Sequence, residues 1–241
     1  MSLSNSKMKH TLIALFICSL MACKHESLEM INTLPPTIPD TLSYLALGDS
    51  YTIGQGVSPA ERYPNQLADT LGQLGIPMHE PQIIAQTGWT TANLITAINN
   101  AQINTTFDFV SLLIGVNNQY QHKPITEYQQ QFEQLLQKAI VFANNDTSKV
   151  VVLSIPDYGY TPFGQANQAT ISAQIAEFNA INKAIANAYG VQYFDITPIS
   201  QQALLQPNLV ATDELHPSGE MYKQWVALMI NNVKELLKNG G

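Results

Sequence analysis

Ser43-Tyr44-Leu45-Ala46-Leu47-Gly48-Asp49-Ser50-Tyr51 is an apolar run that breaks at a glycine and continues into an acid and a hydroxyl. A short apolar run bounded by turn residues reads as a buried strand, here 43–47, that ends in a tight turn. Four further runs of the same kind follow, at 82–86, 109–114, 149–155 and 191–194. Between them apolar residues recur at helical spacing. In 125–144 one face carries Ile125, Tyr128, Phe132, Leu135, Leu136 and Ala139. In 169–189 it carries Ile171, Ile175, Phe178, Ile185 and Tyr189, and in 219–238 Tyr222, Trp225, Val226, Met229 and Val233. Five strands alternating with helices predict an α/β fold: a five-stranded, mainly parallel sheet with helices on both faces. No repeat or internal linker interrupts 41–241, which therefore reads as one domain.

In such sheets ligands bind beyond the carboxyl ends of the strands. The segments there are Gly48-Asp49-Ser50-Tyr51, Thr87-Gly88-Trp89, Gly115-Val116-Asn117-Asn118 and Pro156-Asp157-Tyr158, with Asp213-Glu214-Leu215-His216 ahead of the last helix. Trp89, Tyr120, Tyr158, Tyr160 and Phe163 follow strands and are candidates to line a substrate pocket.

Composition removes several classes of function. Lys plus Arg is 11 and Asp plus Glu is 18 in 241 residues, a formal charge of −7. The cations are scattered, so a nucleic-acid partner, which needs clustered phosphate-neutralising charge, is excluded. Charged residues make up 12% of the chain, about half of what a soluble domain usually carries. Polarity comes instead from 19 Asn and 21 Gln. Both cysteines, Cys18 and Cys23, lie in the first tenth of the chain. The rest has no thiol for a disulfide, a metal–sulfur site or a nucleophile, which leaves oxygen and imidazole chemistry.

The beginning of the chain reads as an address. Lys7, Lys9 and His10 precede an apolar run over 11–22, too short to cross a bilayer, which takes about twenty residues. It ends in Leu20-Met21-Ala22-Cys23, which resembles a bacterial lipobox. Residues 1–22 are expected to be a lipoprotein signal peptide and Cys23 the lipidated first residue of the mature chain. Residues 23–40, with Pro35, Pro36 and Pro39, read as an extended tether. The expected location is the bacterial envelope, anchored by Cys23 to a membrane and facing the periplasm or the exterior.

The four segments Gly48-Asp49-Ser50-Tyr51, Gly88, Gly115-Val116-Asn117-Asn118 and Asp213-Glu214-Leu215-His216, taken in order, resemble the GDSL/SGNH hydrolase family. The resemblance implies a flavodoxin-like three-layer α/β/α sandwich. It also implies hydrolysis of carboxylic esters, with thioesters and lysophospholipids within the family's range, and no metal or organic cofactor. By the same resemblance Ser50 is the nucleophile, His216 the base that takes its proton, and Asp213 the group that orients the imidazole. Ser50, Gly88 and Asn117 supply the oxyanion donors. Of the other histidines, His79 precedes a strand at the wrong end of the sheet, and His122 lies near the correct edge. Tyr51 stands where the family usually has Leu, and Asn118 where it usually has Asp.

The expected partner is a small-molecule, glycan or lipid ester; the sequence sets no oligomeric state. Three rival readings use the same blocks: removal of O-acetyl groups from a polysaccharide, a non-catalytic glycan-binding lipoprotein, and a metal phosphoesterase built on Asp49, Asn117 and His216. The last is disfavoured by the few carboxylates near those blocks.

Overall fold

The fold was analysed in a computed structural model, which describes residues 41–239. The expected signal peptide, lipidated Cys23 and tether lie outside the described residues. Strands β1 (Tyr44–Gly48), β2 (Gln82–Ala85), β3 (Phe109–Leu113), β4 (Val150–Leu153) and β5 (Gln192–Phe194) form one sheet in the order β2-β1-β3-β4-β5. Every pairing is parallel. Each observed strand falls within a residue or two of the apolar run that predicts it. Strands β1, β3 and β4 are buried along their whole length. A strand covered on both faces has no solvent side, so its sequence is continuously apolar and does not alternate.

Among the described residues eight α-helices accompany the sheet: α1 (Ser50–Ile53), α2 (Tyr63–Gln73), α3 (Thr91–Ala101), α4 (Val116–Tyr120), α5 (Ile125–Phe142), α6 (Gln168–Ala188), α7 (Thr197–Ser200) and α8 (Gly219–Asn239). Helix α2 packs on α8, while α3, α5 and α6 form a second row. Right-handed crossovers dictate this division, because the chain moves outward from β1 to β2 and then returns across β1 to β3. The reversal leaves a crevice between the carboxyl ends of β1 and β3, where open α/β sheets hold their ligands.

The predicted face of α8 is buried throughout, as is that of α5 except for the half-buried Ile125. In α6, Ile171, Ile175 and Phe178 are buried, whereas Ile185 and Tyr189 are half-buried. The inner position there belongs to Asn182, which donates to Tyr128 Oη at 3.2 Å and accepts from Tyr193 Oη at 2.9 Å. Its neighbour Asn179 accepts from Ile155 N at 2.8 Å and donates to Ile155 O at 2.9 Å. A chain with few charges thus closes its interior with amides, which both donate and accept.

Candidate active site

The strand-to-helix turn after β1 places Ser50 as the first residue of α1. Gly48 is required by close approach: a Cβ there would collide with Thr52 Oγ1 and stand 2.5 Å from the carbonyl oxygen of Leu113. The turn is closed by Asp49, whose side chain accepts from Tyr51 N at 3.0 Å and whose carbonyl accepts from Thr52 N and Ile53 N. The Ser50 N–H has no acceptor among the described residues. At the end of β2, Gly88 holds φ +84°, a region that favours glycine. Its N–H likewise has no acceptor among the described residues. Ser50 is buried and Gly88 exposed, so both N–H groups are open to an acceptor from a bound molecule.

Across the crevice, Asn117 lies in α4. Its Nδ2 donates one hydrogen to Trp89 O at 3.0 Å, which fixes the amide plane and leaves the second hydrogen free of that bond. Asn118 points elsewhere. It is fully buried, accepts from Thr91 N at 3.0 Å and donates to Thr91 Oγ1 at 2.7 Å. The side chain in place of the family's usual Asp therefore fastens α4 to the start of α3.

Asp213 and His216 share one turn. His216 Nδ1 and Asp213 Oδ2 are 2.7 Å apart, while Asp213 Oδ1 accepts from the backbone N–H groups of His216 and Leu215 at 2.9 and 3.1 Å. Partial burial pushes the Asp213 carboxyl up, but these N–H bonds outweigh it and hold the group below its ordinary value. The last helix is capped by Ser218, whose Oγ accepts from Met221 N at 3.3 Å, so the Asp213 side chain is free for the imidazole. Ala211 N donates to His216 O at 2.8 Å and closes the turn. The Tyr51 ring meets the imidazole edge-on, with centroids 5.8 Å apart. The aromatic that replaces the usual Leu thus braces His216.

Ser50, Gly88, Asn117 and His216 open into one cavity of about 180 Å³ at the β1/β3 crevice, with Asp213 behind the imidazole. Tyr120, Tyr158 and Phe163 line it. Trp89 is not among its lining residues: it packs half-buried against the core, and its carbonyl accepts from Asn117. Tyr160 is absent from the lining as well. Thr87, Val116 and Leu215 line the cavity without having been singled out in the sequence, although each neighbours a motif residue. Position in a block was their only signal, because the direction of a side chain in a loop depends on tertiary packing. His79 and His122 lie outside this cavity.

Asp49 is fully buried beneath the Ser50 turn, and its Oδ2 has no hydrogen-bond partner among the described residues. Burial pushes its pKa up to about 7, offset only in part by the N–H groups of Tyr51, Gly115 and Asp49 itself. A folded-state pKa above the unfolded value makes the folded protein bind the extra proton. The contribution is fully present below about pH 4 and is lost as the pH rises through about 7. Between pH 5 and pH 8, wild type is therefore expected to lose stability relative to Asp49→Asn, by an amount on the order of 2 kcal/mol. Urea unfolding of both proteins at the two pH values measures this; parallel profiles would show that Asp49 does not titrate in this range.

The profile of the GDSL-like Lipase/Acylhydrolase family matches residues 46–224. No curated protein sequence is a significant match. Among solved structures the fold is similar to that of TesA, with 16% identity over 80% of this chain and 99% of that one, at TM-score 0.65. It is similar to Axe2, an acetylxylan esterase from Geobacillus stearothermophilus, with 16% identity, 81% and 95% coverage and TM-score 0.64. It is also similar to the psychrotrophic esterase EstA from Pseudoalteromonas sp., with 16% identity, 82% and 100% coverage and TM-score 0.62. At such identities these neighbours speak for the fold alone. The family match starts inside β1, ends inside α8, and takes in both the Ser50 turn and the His216 turn, so the chain belongs to the GDSL-like lipase/acylhydrolase family.

Proposed function

We propose that the protein is a serine hydrolase of carboxylic esters with short acyl groups, working through an acyl-enzyme. Ser50 Oγ attacks the ester carbonyl carbon while His216 takes the hydroxyl proton. Asp213, bonded to Nδ1, keeps the imidazole in the tautomer whose Nε2 can accept, and stabilises the imidazolium that forms. The negative oxygen is met by Ser50 N, Gly88 N and the free hydrogen of Asn117 Nδ2. Collapse of this intermediate expels the alcohol, which leaves with the proton from His216. Water then attacks the acyl-serine and gives a proton to the same imidazole, which passes it to the departing Ser50 Oγ as the acid is released and the free hydroxyl is restored.

The observation that carries this reading is the 2.7 Å Asp213–His216 pair, set in a cavity that also holds Ser50 and two backbone donors without acceptors. A cavity of about 180 Å³ is smaller than sites for drug-sized ligands, about 300 Å³ and upward, which supports short acyl groups over long ones. The neighbour EstA is described as inhibited by monoethylphosphonate. A serine-directed fluorophosphonate is expected to label the wild-type chain and not Ser50→Ala or His216→Ala. Failure to label a folded wild-type protein would overturn the reading.

The lipobox supports a mature form acylated at Cys23 and held at a membrane of the cell envelope. Cys23→Ser is expected to move the protein from the membrane pellet to the soluble fraction. Retention in the pellet would overturn the anchor.

A further inference from the structure

A second cavity, of about 360 Å³, adjoins the first and shares with it the side chains of Tyr120, Tyr158 and Phe163. These three rings pack at centroid distances of 6.3 Å for every pair. Tyr158 is buried, whereas Tyr120 and Phe163 are more than half exposed. They form an aromatic wall between a small chamber and a larger one. Beyond the wall the character changes: the larger cavity is lined by Gln119, His122, Asn167, Thr170 and Gln174.

The amides are set by a relay. Tyr158 Oη donates to Gln119 Oε1 at 2.9 Å, and Gln119 Nε2 donates to Gln174 Oε1 at 2.6 Å. Gln119 is itself buried. The relay pins Gln174 by its carbonyl and leaves its Nε2 hydrogens without an acceptor among the described residues. Helix α4 joins the two chambers, since it carries Asn117 in the first and Gln119 in the second. No Lys, Arg, Asp or Glu lines either cavity.

An ester places its acyl and alcohol parts on either side of the reacting carbon. If the small chamber takes the acyl group, the alcohol passes the aromatic wall into the larger one. We propose that this second cavity is the alcohol subsite and that it takes a neutral, polyhydroxylated ring, the sugar unit of an O-acylated carbohydrate. Fixed amides and a threonine hydroxyl suit hydroxyl groups. Exposed aromatic faces suit the C–H faces of a pyranose. A phosphate-bearing alcohol, such as a lysophospholipid headgroup, would call for Arg or Lys, which the lining lacks. The inference rests on the serine-hydrolase reading above.

The test compares kcat/KM for methyl 3-O-acetyl-β-xylopyranoside with that for cyclohexyl acetate, a ring ester of similar shape without hydroxyls, using the full chain. Wild type is expected to prefer the sugar ester by about tenfold or more, because polar groups left unpaired by the analogue disfavour it. Gln174→Ala should cut that preference about fivefold, the scale of one neutral hydrogen bond. Thr170→Trp, which fills the cavity from one helical turn before Gln174, should remove most of it. A preference unchanged in both variants, with circular dichroism matching wild type, would overturn the subsite. So would a kcat/KM for a lysophosphatidylcholine above that for the sugar ester. Loss of 4-nitrophenyl acetate hydrolysis in Ser50→Ala with an unchanged preference in Gln174→Ala and Thr170→Trp overturns the subsite alone. Persistence of that hydrolysis in Ser50→Ala overturns the serine-hydrolase reading instead.

Discussion

Ser50→Ala is expected to lower kcat/KM for 4-nitrophenyl acetate by about 10⁴ or more, because nucleophile, base and orienting acid act as a unit. Without Oγ there is no bond to form with the acyl carbon, and the proton acceptor on His216 has nothing to activate but water. The oxyanion donors remain, so a residual rate above the uncatalysed one should persist. The double substitution Ser50→Ala/His216→Ala should be no slower than Ser50→Ala alone. Stability should hardly move: the Ser50 side chain is small and makes no side-chain hydrogen bond among the described residues, so Ala leaves no orphaned partner. Thermal unfolding alongside the kinetics separates lost chemistry from lost fold. A rate within tenfold of wild type would place the nucleophile elsewhere.

Asn117→Ala should lower kcat by about 10²–10³ with KM little changed, since in the proposed mechanism its free amide hydrogen serves an oxygen that becomes negative only in the transition state. The neighbouring substitution should behave differently. Asn118→Ala strands the N–H of Thr91 in a fully buried setting and removes a donor to its hydroxyl, which keeps its bond to Gln131 Oε1; the loss should cost stability on the order of 1–3 kcal/mol. Two adjacent asparagines in one motif thus separate into a group that meets the substrate and one that holds the scaffold. Equal kinetic losses with unchanged stability would contradict that division.

Much of the fold was legible because the signals were local. Apolar runs bounded by glycine, proline and polar residues mark the five strands to within a residue or two, since a doubly covered strand has no polar face to obscure it. The long helices α5, α6 and α8 are marked by their 3.6-residue period. Helix α3 is harder to see: it opens on a Thr90/Asn93 capping box rather than on the commoner Glu or Gln, which weakens the usual signal of a helix start. The half-buried Ile185 and Tyr189 in α6 lie where periodicity expects core, because Asn182, bonded to two tyrosines, takes the interior place.

By itself the sequence determined which chemistry is open to the protein and where along the chain it sits. Cysteine-free from residue 24 onward and poor in charge, the chain has hydroxyl, imidazole and amide groups to work with, and its ordered blocks assign them positions. It also carries Leu20-Met21-Ala22-Cys23, which resembles a lipobox. Tertiary structure decided which side chains within a block face the crevice. Asn117 and Asn118 are indistinguishable by composition, and Trp89 reads as well as Tyr158 for a pocket wall. Only the packing of α4 against α3 turns one asparagine outward and the other inward. The aromatic wall and the amide relay behind it join residues from α4, α6 and the loop between them and β4, so no local pattern announces them. Periodicity and motif spacing encode contacts within a few residues along the chain, whereas the shape of a cavity is set by residues that meet only when distant segments pack together.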